Sequence, residues 1–230
     1  MSADTPAREF PRGRGAAFRF GLRLGAPFGL AGGLLAVSFG VLAHDVGMPA
    51  WGAILMSVVV FAGSAQIAAL TILGAGGSLL SAIGAAALMN SRFLPMGIAI
   101  GPSLPGGPAV RAAQGQPLVD ASWALASDGR GGFNRHVMFG SSAVQFAGWQ
   151  LGTVVGVFGG SVIGDPRALG IDAIYPAFFL ALMIVEIRGG RALGVAFAGA
   201  LIAFVLIPLT PAGVPVLVAS LASLIGLIRG

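Results

Sequence analysis

Long apolar stretches, separated by short clusters of polar residues, glycine and proline, run through most of the chain. From Leu24 to Ser91 the only formally charged residue is Asp45. Because about 20 apolar residues cross the hydrocarbon core of a bilayer, a run of this length must hold several helices. We expect an all-α, polytopic membrane helix bundle with a short broken or re-entrant helix at 117–128. The breaks predict seven long spans, at about 18–43, 50–73, 79–101, 136–160, 171–187, 191–207 and 212–228.

Only the beginning of the chain is polar over any length. Arginine recurs there, and Pro6 and Pro11 disfavour a stable helix. Residues 1–17 are therefore predicted to be a flexible, arginine-rich cytoplasmic leader, and residues 18–228 a single transmembrane domain. A secretory signal peptide is the alternative for residues 1–43. The apolar run is longer than the usual core of such a peptide, which favours an uncleaved first span.

The composition excludes most other classes of protein. Apolar residues make up 56% of the 230 positions, charged residues make up 9%, and the mean hydropathy is +0.92. Soluble domains carry roughly a quarter charged residues, so this chain has too few to cover a water-facing surface. The chain has no cysteine, which excludes disulfides and thiolate metal sites. It also lacks a zinc-ligand spacing, a Ser-His-Asp set and a nucleotide fingerprint, so no metal, cofactor or enzymatic activity is expected.

Arginine supplies all 13 basic charges, against 8 acidic ones. These arginines stand at the ends of apolar runs, which is typical of membrane topology, and no nucleic-acid partner is expected. The leader predicts a cytoplasmic N-terminus, and alternation then places Asp45 outside, 74–77 inside and 102–116 outside. If the 117–128 segment crosses or re-enters, five later arginines also lie inside, as the positive-inside rule expects: Arg130, Arg135, Arg188, Arg191 and Arg229. If the segment stays outside, these five face outward and break the rule.

Polar groups inside the apolar spans are the first candidates for a transport pathway, because each is costly to place in hydrocarbon. Gly63, Ser64 and Gln66 stand near the middle of the second predicted span. Glycine weakens the helix there, and transporters build substrate sites from interrupted helices whose freed backbone groups bind charged ligands. The competing interpretation is that Ser64 or Gln66 only bonds a neighbouring helix.

A second set of candidates lies in the third span and the short segment. Asn90 and Arg92 fall at membrane depth, where an arginine needs a partner or a water-filled cavity. Arg92 would either neutralise a substrate carboxylate or form an ion pair with Asp120 or Asp128, and the ion pair is slightly favoured. Asp120, Ser122 and Asp128 make the short segment too polar to face lipid. Asp120 would cap the helix or, in a sharper reading, bind a proton or an ammonium group.

The order and content of these elements resemble the AzlC-type family, the large subunit of branched-chain amino acid exporters. The resemblance covers about residues 18–228, and it implies a secondary transporter that exports valine-like amino acids across a bacterial inner membrane. It also implies a partner, a small AzlD-type membrane protein. Family members often carry His in place of Phe93 and Glu in place of Ala121, so two titratable groups are missing here. The matching motifs lie at 26–29 (Ala-Pro-Phe-Gly), 60–66 (Val-Phe-Ala-Gly-Ser-Ala-Gln), 90–92 (Asn-Ser-Arg), 120–126, 149–153 and 170–177.

The resemblance and the polar residues together lead to a hypothesis for the substrate site. Ser64 and Gln66 would hold the backbone end of a zwitterionic amino acid, Arg92 would attract its carboxylate, and Asp120 or Asp128 its ammonium group. Two other functions use the same features. A channel or facilitator for another small solute needs the polar breaks without coupling, and a structural membrane subunit needs none of the substrate contacts.

Overall fold

A computed structural model describes residues 8–74, 76–163 and 190–210, and nine single positions beyond them (180, 183, 184, 187, 215, 218, 219, 221 and 222). In this part of the chain the fold is helical, and the only β-type pairing is one isolated bridge between Ser127 and Phe133. The all-α prediction is confirmed. The helices are α1 Arg14–Asp45, α2 Ala50–Val60, α3 Gly63–Gly74, α4 Leu79–Asn90, α5 Phe93–Ile100, α6 Pro108–Gly115, α7 Asp120–Ala126, α8 Arg135–Ile163 and α9 Gly190–Leu206, with a 3-10 turn at Gly101–Ser103.

Two helices of the described part are long and apolar enough to cross a membrane by length and composition, Arg14–Asp45 and the continuous Leu79–Ser103. Shorter apolar helices lie at Ala50–Val60, Gly63–Gly74 and Ala192–Leu206. The predicted spans at 171–187 and 212–228 fall almost wholly outside the described residues. The bundle of seven spans is therefore not confirmed.

Helices α1 and α8 form a closely packed parallel pair. Their contacts advance together along both helices: Gly21 meets Val137, Gly25 meets Ser141, Gly33 meets Gly148 and Gly40 meets Thr153. A β-carbon built at Gly25 would lie 2.7 Å from the Cα of Ser141, so the two backbones are in contact. Small residues at four-residue spacing permit this approach between membrane helices. We call the end of the pair formed by Arg14 and Arg135 the arginine end, and the end formed by Asp45 the far end.

Replacing Gly152 by Ala tests this packing. A β-carbon there would overlap the carbonyl oxygen of Gly33 and lie 2.8 Å from the Cβ of Ala36. Since the contacted groups belong to helix α1, we expect the free energy of unfolding to fall by about 1–3 kcal/mol, the range measured for overpacked cores. Thermal unfolding of the purified protein in detergent measures it. Gly84→Ala is the matched control, because a β-carbon at Gly84 meets nothing within 4 Å; equal effects of the two substitutions would contradict the close packing.

The second predicted span is not a single crossing but a helical hairpin. Helix α2 ends at Phe61, whose left-handed backbone (φ 42°, ψ 43°) turns the chain. Helix α3 then runs back: Gln66 Nε2 donates to Ser57 Oγ of α2 at 3.3 Å, and a β-carbon at Gly74 would lie 3.1 Å from Val46, which follows α1. The prediction of one crossing is therefore wrong. A 24-residue apolar stretch has the length of one span, but also that of two half-length helices of 11 and 12 residues.

Helices α4 and α5 form one crossing with a short break at Ser91 and Arg92, which both keep right-handed helical angles. The crossing ends at the arginine end, because Ile100 and Leu104 pack in one apolar cluster with Met138 from the first turn of α8. The sequence placed 102–116 at the end opposite the leader. That placement is wrong, because the hairpin before it returns the chain to the far end and shifts the alternation by one.

Helices α6 and α7 form a second hairpin, which starts and finishes at the arginine end. Gln116 Nε2, between the two helices, donates to the carbonyl oxygen of Val59 at 3.2 Å, so this turn reaches the level where α2 ends. The chain then returns, since the carbonyl oxygen of Ala126 accepts from the backbone N–H of Asn134, directly before α8, at 2.9 Å. This geometry fits a re-entrant segment at 117–128 and not a crossing. The two hairpins thus begin at opposite ends of the α1–α8 pair and meet between them.

Arg8, the first residue that the structure describes, is bound to the end of the second hairpin. Arg8 donates from its backbone N–H to the carbonyl oxygen of Asp128 at 3.0 Å and from Nη1 to that of Leu125 at 3.3 Å. Together with Arg14 and Arg135, this gathers the N-terminal arginines and those before α8 at one end of the molecule. The positive-inside rule expects such a grouping on one side of the membrane.

Candidate functional site

The turns of the two hairpins face each other across a cavity beside the middle of α1 and α8. Phe61, Ala62 and Gly63 contribute from the first hairpin, and Val119, Asp120 and Ala121 from the second. The centre of a water molecule can occupy a volume of about 70 Å³ in this cavity. One water needs about 10–15 Å³ by this measure, so the cavity admits several waters or a small organic group. Phe28, Gly32 and Leu35 of α1 and Gln145 and Trp149 of α8 complete its wall.

Phe61 forms the turn of the first hairpin at the level of the cavity. It is the one non-glycine residue with a positive φ in the part of the chain that the structure describes. The left-handed conformation costs an L-residue about 1–2 kcal/mol, so surrounding contacts must stabilise it. The Phe61 ring is buried and packs edge-on against Phe146 of α8 at 5.0 Å between centroids. Burial of this ring fixes the point at which α2 stops.

An ion pair joins the break between α4 and α5 to the second hairpin on the cavity wall. Arg92 Nε lies 3.0 Å from Asp120 Oδ1, and Arg92 Nη2 donates to Asp120 Oδ2 at 3.0 Å. The same Nη2 donates to Ser64 Oγ at 2.8 Å. The two charged side chains keep 24% and 26% of their surface exposed, so both reach the cavity. The structure brings Ser64, Arg92 and Asp120 together and forms the ion pair with Asp120, while their role in binding a substrate stays a prediction.

The beginning of α3 forms the opposite wall of the cavity. Gly63 and Ser64 stand there as its first two residues, so backbone N–H groups without an intrahelical partner and the positive end of the helix dipole lie beside the ion pair. A β-carbon at Gly63 would overlap the ring of Trp149. Gly63 therefore lets the indole pack against the backbone at the start of α3. The sequence singled out Gly63 as a helix breaker, but its contact with Trp149 had no signal in the sequence.

Gln66 lies behind the cavity wall and does not line it. Its side chain is fully buried, and Nε2 donates to Ser57 Oγ at 3.3 Å. The Ser57 hydroxyl also shares a hydrogen bond with Thr153 Oγ1 of α8 at 2.8 Å. This places three buried polar side chains, from three helices, behind the cavity wall. Ser57 was not among the sequence candidates, although a hydroxyl in a uniformly apolar helix is the kind of signal that found Ser64.

The three remaining candidate residues, Asn90, Ser122 and Asp128, are not among the residues that line this cavity. Asn90 is half-buried at the end of α4 and borders a second groove, between α5 and α6. The Ser122 hydroxyl accepts from the backbone N–H of Val119 at 3.0 Å, which fixes the start of α7. Asp128 lies in the loop at the arginine end, where Oδ1 accepts from the N–H groups of Arg130 at 2.7 Å and Gly132 at 2.9 Å. The structure thus brings Asp120, and not Asp128, to Arg92.

Comparison with known proteins agrees with this picture of a membrane protein. The family described as AzlC protein matches residues 27–163, which contain both hairpins, the ion pair and α8. An uncharacterized membrane protein of Archaeoglobus fulgidus is 30% identical over 204 residues, covering 87% of this chain and 90% of that protein. No solved structure matches the chain. The chain belongs to the AzlC family, a family of membrane transport proteins.

Proposed function

We propose that this protein is a secondary transporter that exports branched-chain amino acids across the bacterial inner membrane. The observation that carries the proposal is the ion pair of Arg92 and Asp120 with Ser64, placed on a cavity between two opposed hairpins. Opposite charges on one side of a small, largely apolar cavity fit a zwitterion with an apolar side chain. Such paired charges at membrane depth are expensive and mark substrate pathways.

The substrate's two charged groups can each replace one member of the ion pair. Its carboxylate fits Arg92, which offers a bidentate set of donors, and the N–H groups at the start of α3. Its ammonium group fits Asp120. In this exchange each buried charge keeps an opposite charge as partner, so binding avoids the large penalty for an unpaired charge. Ser64, released by Arg92, becomes a hydrogen-bond donor to the carboxylate.

The apolar part of the substrate fits the aromatic and small residues of the remaining wall. Phe28 and Leu35 of α1, Phe61 and Phe93 and the Trp149 ring supply apolar surface, while Gly32 leaves room. Burying a Val- or Leu-sized side chain contributes about 1.5–3 kcal/mol. This contribution favours branched aliphatic side chains over polar ones of the same size.

The opposed hairpins suggest how access alternates between the two sides. The α2–α3 hairpin returns to the far end, and the α6–α7 hairpin returns to the arginine end. The ion pair lies at the level where both hairpins turn. Displacement of either hairpin opens the cavity toward its own end while the other stays closed. Gathering of the arginines at one end supports a cytoplasmic N-terminus, and with it the direction from the arginine end outward as the export direction.

Efflux of labelled amino acids tests the proposed function directly. Cells lacking their own exporters are loaded with valine, leucine, isoleucine or methionine, and they express this chain with or without a small AzlD-type membrane protein. We expect faster efflux of the branched-chain substrates when both chains are present, because we propose this chain as the large subunit of a two-component exporter. Unchanged efflux of all four amino acids, with both proteins present in the membrane, would refute the substrate assignment.

A further inference from the structure

Gln145 is a buried polar side chain on the cavity wall to which the proposed function gives no role. It lies in the middle of α8, and only 7% of its surface is exposed. Its sequence neighbours Val144 and Phe146 are apolar. A polar group at membrane depth is costly unless it is hydrogen-bonded, so both ends of this amide need partners.

Only the nitrogen of the Gln145 amide has a partner. Its Nε2 donates to the backbone carbonyl oxygen of Ser141, one turn earlier on α8, at 3.0 Å. A carbonyl oxygen accepts and cannot donate, so this contact fixes which end of the amide is the nitrogen. The oxygen, Oε1, lies at the other end and accepts no hydrogen bond within the described ranges of the chain.

The free oxygen of Gln145 stays accessible from the cavity. Among the described residues, the unpartnered side-chain atoms that are sealed from water include Gln66 Oε1 and Gln150 Nε2, but not Gln145 Oε1. Since Gln145 lines the cavity, this oxygen is an acceptor that the wall offers to a bound molecule.

The acceptor of Gln145 lies on the side of the cavity from which Asp120 enters. Trp149 packs against Gly63 at the turn of the first hairpin. Gln145 precedes Trp149 by one turn of α8, which places it about 6 Å nearer to the arginine end. The second hairpin comes from that end and carries Asp120 to the same cavity. Gln145 and Asp120 thus both present oxygen acceptors to this part of the cavity.

We propose that Gln145 binds the ammonium group of the substrate together with Asp120, and that it makes the site selective for amino acids over related acids without an amino group. The inference rests on the proposed function and adds a specificity residue to its site. An ammonium group has three N–H donors, so it can bond the Asp120 carboxylate and the Gln145 oxygen at once.

The contact with Gln145 also orients the substrate. The oxygen end of an amide dipole attracts a positive group and repels a carboxylate. The ammonium group therefore lies between Gln145 and Asp120, and the substrate carboxylate is directed to Arg92. Because Gln145 is held by Ser141, its oxygen is positioned before the substrate arrives, which lowers the entropy cost of binding.

The hydroxy acid with the side chain of valine, 2-hydroxy-3-methylbutanoate, is the probe for this contact. It has nearly the shape of valine, but one O–H donor replaces the three N–H donors. That donor bonds the charged carboxylate of Asp120, the stronger acceptor, and leaves Gln145 without a partner. A site that is built to bond a substrate N–H selects strongly against an analogue that lacks it.

Thermal unfolding of the full-length protein in detergent, purified with the small AzlD-type protein, measures the affinity for both ligands. A ligand that binds only the folded state raises its stability with the logarithm of the ligand concentration, so a titration gives Kd. Gln145→Met keeps the length of the side chain and removes the acceptor. We expect it to weaken valine binding about tenfold and to leave the binding of the hydroxy acid nearly unchanged.

The ratio of the two Kd values is the decisive quantity, because a partly unfolded variant affects both ligands equally. We expect this ratio to fall about tenfold in Gln145→Met. Gln150→Met is the matched control, since Gln150 lies on the same helix but does not line the cavity. Three results would overturn the inference: an unchanged ratio in Gln145→Met, an equal fall in Gln150→Met, or no valine-dependent Tm in the wild-type protein.

The binding test and the efflux test fail separately. Valine efflux with an unchanged ratio of Kd values leaves the exporter in place and removes the role of Gln145. A ratio that falls in Gln145→Met alone, without valine efflux, leaves Gln145 as a ligand of the ammonium group and removes the proposed export.

Discussion

Replacing Arg92 by Gln is expected to lower amino acid efflux about 10- to 100-fold, because a hydrogen bond to a charged group contributes about 1.5–3 kcal/mol. The guanidinium bonds both Asp120 and Ser64 and is the positive group on the cavity wall. Glutamine retains a donor but no charge, so it cannot compensate a substrate carboxylate. Efflux from preloaded cells measures the change, normalised to the amount of protein in the membrane.

Further variants separate transport from folding. Arg92→Gln leaves the Asp120 carboxylate without its cation, which lowers stability, whereas Arg92→Gln with Asp120→Asn removes both charges. We expect the double variant to recover membrane abundance and thermal stability but not efflux. Arg111→Gln is the matched control, since Arg111 is exposed on α6 away from the ion pair. Normal efflux by both the Arg92→Gln and the Asp120→Asn variants would show that the ion pair is not part of the substrate site.

Labelling of single cysteines is expected to distinguish the hairpin from a single crossing, because each position reacts from one side of the membrane only. The chain contains no cysteine, so each substitution is labelled in an otherwise silent background. Asp45→Cys and Ser78→Cys flank the first hairpin and should react with a membrane-impermeant maleimide from the same side. Gly107→Cys, which precedes α6, should react only from the opposite side. Intact and opened cells distinguish the two sides.

The alternative topology predicts the reverse pattern for two of these positions. If residues 50–73 crossed the membrane once, Ser78 would lie opposite Asp45, and Gly107 would lie on the same side as Asp45. Labelling of Asp45→Cys and Gly107→Cys from one side, with Ser78→Cys labelled from the other, would therefore contradict the hairpin. Arg12→Cys at the arginine end supplies the reference for the side of the N-terminus.

The sequence identified the ion-pair residues because each is polar in an apolar setting. Arg92, Asp120 and Ser64 are exceptional for their surroundings, and an arginine at membrane depth requires a counter-charge wherever the helices lie. The same reasoning could not choose between Asp120 and Asp128. That choice depends on backbone N–H groups in a tight loop, which satisfy Asp128 locally and leave Asp120 for Arg92.

The direction of the chain was harder to predict than the presence of helices. Apolar composition reports that residues 50–73 lie in hydrocarbon, but it carries no information on whether α3 continues or reverses α2. The reversal depends on the backbone of Phe61 and on the burial of its ring against Phe146, a residue 85 positions later. Gly63 gave a local signal for the break, and only packing against α8 decides its angle.

The parallel packing of α1 and α8 has a consequence for biosynthesis. Gly21 contacts Val137, so more than a hundred residues must leave the ribosome and enter the membrane before the first of these contacts can form. Both hairpins lie between the two helices in the chain, and each must remain in the translocation machinery or in lipid until α8 arrives. Arg92 and Asp120 are only 28 positions apart and can pair earlier. Early pairing would shield both charges from hydrocarbon during this interval.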